Sequence, residues 1–170
     1  MPVRQLILGG ARSGKSRHAE QLALATGGAV TYVATAVAAD AEMQERIAHH
    51  RAQRPAAWSL VEEPLALAQV LRAHAVADGC LLVDCLTLWL SNLLAVDDAR
   101  MQQEIAALYA AVPQLPGRLL LVSNEVGWGI VPDNPLARRF RDEAGRLHQQ
   151  LATLCDHVTL VVAGLPLALK

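Results

Sequence analysis

Short apolar runs alternate with longer stretches of helical periodicity along the whole chain. Val3 to Leu8 is an apolar run that ends at Gly9-Gly10, which predicts a strand followed by a loop. Lys15 to Thr26 lacks Gly and Pro and carries Ala19, Leu22 and Ala23 at helical spacing, and Gly27-Gly28 stops it. Ala29 to Ala34 reads as a second strand. Asp40 to Gln53 reads as a helix, with Asp40 suited to cap it and Pro55 just beyond its end. Trp58 to Val61 is a weak strand, and Pro64 to Ala77 is helical with Pro64 in its first turn. Cys80 to Asp84 is a continuous apolar run, as in a strand covered on both faces. Helices follow near Leu86–Ala95 and Asp98–Ala111. Pro113, Pro116 and Gly117 make a break before another buried strand, Arg118 to Val122. Gly127 to Pro135 is an irregular loop, Leu136 to Leu154 a long helix and Val158 to Val162 a strand. Gly164-Leu165-Pro166 then turns into a short apolar tail able to pair back. Strands alternating with helices predict an α/β fold with a mainly parallel sheet. No repeat or linker interrupts the pattern, so residues 1–170 are expected to form one domain.

Composition narrows the function classes. Hydrophobic residues make up 53% of the chain and charged residues only 18%, which favours a buried sheet or a large subunit interface and excludes disorder. The net charge of −1 lacks the basic excess of a nucleic-acid coat, so an anion site has to be local. Three Trp, two Tyr and one Phe are too few for a base-stacking platform. Cys80, Cys85 and Cys155 form no CxxC pair. They read as small core residues of a reducing compartment rather than zinc ligands. The opening Met1-Pro2-Val3-Arg4 does not read as a signal peptide. Leu81 to Val96 is broken by Asp84, Thr87, Ser91 and Asn92 and should not span a membrane. The expected location is the cytoplasm.

The sharpest chemical signal is Gly9-Gly10-Ala11-Arg12-Ser13-Gly14-Lys15-Ser16, which fits G-x-x-x-x-G-K-[ST] between an expected strand and an expected helix. Glycines let backbone N–H groups curl around phosphate oxygens, and the helix N-terminus adds a favourable dipole. Lys15 is then placed to reach the β- and γ-phosphates and the Ser16 hydroxyl to ligate Mg2+. Such a loop needs an acid at a nearby strand end. Asp84 ends one apolar run, and Glu125 lies slightly past another. An Asp in this place is often only a helix cap; beside a phosphate loop the magnesium role is assigned to Asp84 ahead of Glu125.

A second feature lies on the helix expected over 40–53. Glu42, Arg46, His50 and Arg54 recur every four residues as one polar stripe. His50 therefore falls between two guanidiniums, where a neutral imidazole can attack a phosphoryl group and hold it as a phosphoramidate. His49 is rotated by about 100° and shares no metal with it. On composition alone, the stripe is a solvated helix face. Arg138, Arg139 and Arg141 read mainly as another such face. Trp128 is open to a substrate, a neighbouring subunit or core packing. Trp58 and Trp89 read as core, and His18 and His148 as surface.

Together these segments resemble the bifunctional adenosylcobinamide kinase/adenosylcobinamide-phosphate guanylyltransferase family of cobalamin biosynthesis. The resemblance is carried by Gly9–Glu20, Tyr32–Ala36, Asp40–Met43, Arg46-Ile47 with His50, Arg54-Pro55, Asn124–Pro132, Leu136–Asp142 and Leu160–Gly164. It implies a RecA-like P-loop NTPase domain, usually a homotrimer, acting on a corrinoid. It implies phosphorylation of adenosylcobinamide by ATP or GTP. Transfer of GMP from GTP through a GMP-histidine intermediate then gives adenosylcobinamide-GDP and pyrophosphate. It also implies that His50 is the nucleophile, with His49 the alternative. Nucleotide contacts are implied at Gly9–Ser16, at Ala34, Thr35 and Ala36, at Arg51, Ala52, Gln53 and Arg54, and at Glu62 and Asp84. The segment between Leu93 and Asp98 is shorter than in some members. The rival readings are a P-loop kinase without nucleotidyl transfer and a RecA-type regulatory ATPase.

Overall fold

A computed structural model describes residues 2–36 and 55–170 of the chain. The expected helix over 40–53, with His49, His50 and Arg51–Arg54, lies outside the described residues. The described elements are β1 (Val3–Gly9), α1 (Lys15–Leu24), β2 (Val30–Ala34), β3 (Ser59–Glu62), α2 (Leu67–His74), β4 (Cys80–Asp84), α3 (Leu86–Leu94), α4 (Asp98–Ala111), a 3-10 turn (Val112–Gln114), β5 (Arg118–Asn124), α5 (Pro135–Leu154), β6 (His157–Val162) and β7 (Leu165–Ala168). The strands form one sheet in the order β3-β2-β4-β5-β1-β6-β7. All pairings are parallel except β6 with β7. The mainly parallel sheet with an antiparallel C-terminal edge, expected from the sequence, is thus present.

The apolar runs divide by a period of two, because successive strand side chains point to opposite faces. Leu6, Leu8, Val33, Leu81, Val83, Leu119 and Leu121 face one core, closed by residues of α2, α3, α4 and α5. Ile7, Val30, Tyr32, Leu82, Leu120 and Val122 face the other, which includes Ala19 and Ala23 of α1. Trp89 is wholly buried, and its indole N–H donates to the Leu65 carbonyl at 2.7 Å, so burial strands no polar group. Trp58 is half-buried against the second core.

Several boundaries follow from local chemistry. The Asp97 carboxylate accepts from Arg100 N at 2.8 Å and starts α4, a cap of a kind that contributes about 1 kcal/mol. The Asn134 side chain caps α5 in the same way, with Pro135 at the first helical position. The expected start of a helix at Pro64 is not found. The Glu63 carboxylate accepts from Leu65 N and Ala66 N, both at 2.8 Å, which holds those residues in a turn, and α2 starts only at Leu67. It also ends at His74, short of the expected Ala77. The β6–β7 hairpin turns on Ala163 and Gly164, both at positive φ, as a two-residue hairpin with the right-handed strand twist requires. Leu165 and Pro166 already belong to β7, where Pro is tolerated because the strand is an edge.

All three cysteines are free and buried. Burial pushes the Cys80 thiol up to about 11 and the Cys155 thiol up to about 12. It also raises Cys85, helped by Asp84. Thiolate is the reactive form. The native protein is therefore expected to react slowly with Ellman's reagent at neutral pH and to release three equivalents once unfolded. A fast equivalent in the native state would contradict this packing.

Candidate nucleotide site

The loop between β1 and α1 has the shape its glycines permit. Gly14 sits at φ +93° as the N-cap of α1, and Arg12 is also left-handed at φ +54°. Two reversals of this kind within a few residues curl backbone N–H groups toward one side, the form of an anion nest. A Cβ on Gly9 would clash with Ser13 Oγ and lie 2.7 Å from the Val161 carbonyl, so only glycine fits at the end of β1. The loop is braced from outside by the β6–β7 turn, where Gly164 N donates to the Ser13 carbonyl at 2.8 Å.

Lys15 is only 8% exposed, and its ammonium donates to the Gly10 carbonyl at 3.1 Å. Burial lowers its pKa, while the Asp84 carboxylate pulls it back up. The Ser13 hydroxyl is buried without a hydrogen-bond partner among the described residues. An unpaired hydroxyl beside a nest and a desolvated ammonium fits a phosphate chain, which would supply the missing acceptor.

The rest of the site comes from the carboxyl ends of parallel strands, the usual ligand edge of such sheets. A cavity of about 790 Å3 opens there, within the range of small-molecule pockets. β5 lies between β1 and β4, so Asp84 approaches the loop from two strands away. Its Oδ2 accepts from the Tyr32 hydroxyl at 3.1 Å. The side chain does not cap the following helix. Cys85 occupies the N-cap position of α3, without a side-chain cap bond. At the end of β5, Asn124 donates from Nδ2 to Thr87 Oγ1 at 2.8 Å. Glu125 N donates to the Gly9 carbonyl at 2.9 Å, and the Glu125 side chain lines the same cavity.

Of the residues named from the sequence, Ala11 to Ser16, Ala34, Ala36, Glu62 and Asp84 line this cavity. Gly9 and Gly10 shape the loop beneath it. The Thr35 side chain points elsewhere. It is wholly buried, and its Oγ1 donates to the Cys85 carbonyl at 2.7 Å and accepts from Cys85 N at 3.0 Å, tying β2 to β4. Tyr32, Thr87 and Phe140 also line the cavity and were not singled out from the sequence. Tyr32 was readable in principle, since it lies two residues before Ala34 on one strand.

Two side-chain expectations change. His148 is not a surface residue: it is buried, with Nε2 2.7 Å from Ser123 Oγ. Trp128 is 74% exposed, which removes core packing from its alternatives. Among the arginines, Arg139 pairs with exposed Asp98, and Arg138 donates to the Pro132 and Asp133 carbonyls.

The model of the cobinamide kinase / cobinamide phosphate guanyltransferase family matches residues 5–169. The chain belongs to this family. It is 61% identical over 169 residues to the bifunctional adenosylcobalamin biosynthesis protein CobP of Pseudomonas aeruginosa, covering 99% of this chain and 98% of that one. It is 42% identical over 179 residues to the corresponding CobU protein of Salmonella typhimurium, and 43% identical to that of Escherichia coli. Both matches cover 97% of this chain and 98% of the relative. The family is one of P-loop NTPase folds, in accord with the mainly parallel sheet and the loop after β1. Among the described residues no helix is long and apolar enough to cross a membrane.

Proposed function

We propose that this family member phosphorylates the aminopropanol hydroxyl of adenosylcobinamide with ATP or GTP. It then transfers GMP from GTP to that phosphate and releases pyrophosphate. The observation that carries the first step is the pairing of a buried ammonium with an unpartnered Ser13 hydroxyl at a nest-shaped loop. Loop amides hold the β- and γ-phosphates. The Lys15 ammonium leaves the Gly10 carbonyl for the γ-phosphoryl oxygens, where it offsets charge in the transition state.

The Ser16 hydroxyl and the Asp84 carboxylate are hard oxygen donors of the kind that Mg2+ accepts beside nucleotide phosphates. Bound there, Mg2+ would neutralise charge on the phosphates. Tyr32 keeps the Asp84 carboxylate turned into the cavity. Glu62, Ala34 and Ala36 are proposed nucleotide contacts, with Thr35 holding the strand end between them in place through Cys85 and Asn92. The second step is assigned to His50, flanked by Arg46 and Arg54, with Arg51–Arg54 toward the nucleotide. Exposed Trp128, Ile130 and Val131, on the loop after Glu125, offer apolar ground to a corrin ring. A homotrimer and a cytoplasmic location complete the proposal.

Incubation with labelled GTP tests the reading as a whole. A bifunctional enzyme traps GMP on the protein and converts cobinamide phosphate, whereas a plain kinase does neither. Asp84→Asn is expected to raise the Mg2+ concentration for half-maximal kinase rate by at least about tenfold, the scale at which even outer partners act on metal sites, with a smaller loss of nucleotide affinity. An unchanged Mg2+ titration in that variant, with the loss appearing in Glu125→Gln, would transfer the role to Glu125.

A further inference from the structure

Three acidic residues, Glu62, Asp84 and Glu125, line the cavity, and the surroundings of the last two differ. Asp84 acts on the Lys15 ammonium and takes the Tyr32 hydroxyl. Glu125 is held in another way. Its amide is fixed to the Gly9 carbonyl, which sets the residue beside the P-loop. Its Oε1 accepts from Gly127 N at 2.7 Å. Its Oε2 faces Nδ1 of His148 at 3.9 Å. Behind it, the imidazole is 7% exposed, and its Nε2 meets the wholly buried Ser123 hydroxyl at 2.7 Å.

The proton arrangement follows from the donor inventory. A Ser123 O–H that donates to Nε2 leaves the imidazole hydrogen on Nδ1, directed at Glu125. Burial lowers the His148 pKa against the pull of Glu125, in keeping with a neutral ring. At 3.9 Å the Nδ1–H is beyond hydrogen-bond range, so it steers Oε2 without saturating it. Glu125 thus has one oxygen occupied and one held in place with capacity to accept.

The geometry points to Glu125 as the catalytic carboxylate that receives the acceptor's hydroxyl proton during phosphoryl transfer, and to His148, braced by Ser123, as the residue that positions it. This inference rests on the kinase reading above. The hydroxyl oxygen bonds to the γ-phosphorus as the bond from that phosphorus to the β–γ bridging oxygen breaks. The electron pair of the broken bond leaves on the nucleoside diphosphate. The hydroxyl proton passes to Glu125 Oε2 and then to water. Asp84 is less suited to this task, because its carboxylate already takes the Tyr32 hydroxyl, faces the Lys15 ammonium and is assigned to Mg2+. The exposed loop after Glu125 lets an amphipathic acceptor lie within reach of Oε2 while its phosphate donor stays over the P-loop.

The test uses the full chain with cobinamide and ATP at saturating Mg2+. Glu125→Gln is expected to lower kinase kcat by about 10^2–10^4-fold, the usual range for a proton acceptor, with the ATP KM and the Mg2+ titration unchanged. The His148 variants separate positioning from packing. An Asn amide nitrogen replaces Nδ1 and still donates toward Glu125, whereas a Gln amide replaces Nε2 and satisfies Ser123 only. His148→Asn is therefore expected to hold kcat near that of the parent. His148→Gln, folded because Ser123 keeps its partner, is expected to lose up to about 10^2-fold in kcat, the scale of a slight misplacement of a reacting group. Equal rates in the Asn and Gln variants would overturn the positioning role. A Glu125→Gln protein with parental kcat, or one that demands more Mg2+, would overturn the assignment of Glu125. A parent chain that phosphorylates no cobinamide would overturn the kinase reading itself.

Discussion

Lys15→Ala is expected to cut kinase turnover by about 10^3-fold or more, in the range seen when one cation is withdrawn from a phosphoryl transition state. Transfer of the γ-phosphoryl asks the protein mainly for position and charge. Lys15 is the buried cation at the loop, and its ammonium sits 3.1 Å from the Gly10 carbonyl, ready to exchange that oxygen for a phosphate. The loss should fall on kcat more than on nucleotide affinity, since loop amides still grip the phosphates. Folding should survive. Burial lowers the Lys15 pKa, so the folded chain holds the charge at a cost. With the folded pKa below the unfolded 10.5, that cost is fully present at neutral pH and fades as pH rises through the window between the two values. The variant should therefore unfold no earlier than the parent in a thermal melt at pH 7. A single-turnover assay beside that melt decides the matter: near-parental phosphorylation would remove the P-loop role, and an early melt would reduce the result to instability.

His50→Ala is expected to abolish GMP labelling of the protein and to cut the transferase step by about 10^4-fold or more, as loss of a covalent nucleophile does elsewhere. The argument is chemical and starts from the spacing. Attack on the α-phosphorus of GTP needs an unprotonated ring nitrogen, and in the sequence Arg46 and Arg54 stand four residues away on either side of His50. Pyrophosphate must leave with its charge compensated by nearby cations. His49 lies on another face of the expected helix and should not substitute. The adduct should be labile in acid and comparatively stable in base, as a phosphoramidate is and a carboxyl phosphate is not. Kinase activity should fall but persist, because Lys15 and the loop after β1 are untouched. Mass spectrometry after GTP incubation gives the readout. Full labelling of the Ala variant, or an adduct mapped to His49 or to a lysine, would defeat the assignment.

The boundaries of β4 and α4 were legible to the residue, and the reason is local. Asp84 interrupts an apolar run, and Asp97 offers a carboxylate to the amides of the next turn. The loop from Gly9 to Ser16 was legible for the same reason, since its work is done by residues within eight positions of one another. The start of α2 was not. Its first turn was lost to the Glu63 carboxylate, whose choice of Leu65 and Ala66 amides no periodicity reveals.

The partners of His148 and Thr35 lay beyond any local pattern. His148 meets a serine 25 positions away because α5 packs on the sheet at β1, beside β5, and Thr35 meets Cys85 because β2 lies beside β4. Both contacts depend on strand order, and alternation of strands and helices does not encode that order. By itself, then, the sequence determined an α/β chain with a glycine-rich loop between its first strand and first helix and a family resemblance spread over nearly its whole length. These depend on spacing along the backbone. Only the tertiary structure decided that β5 lies between the P-loop strand and Asp84, that Glu125 starts beside Gly9, and that a buried imidazole stands behind it. Those positions are set by which apolar faces bury one another, and that is a property of the whole core rather than of any segment within it.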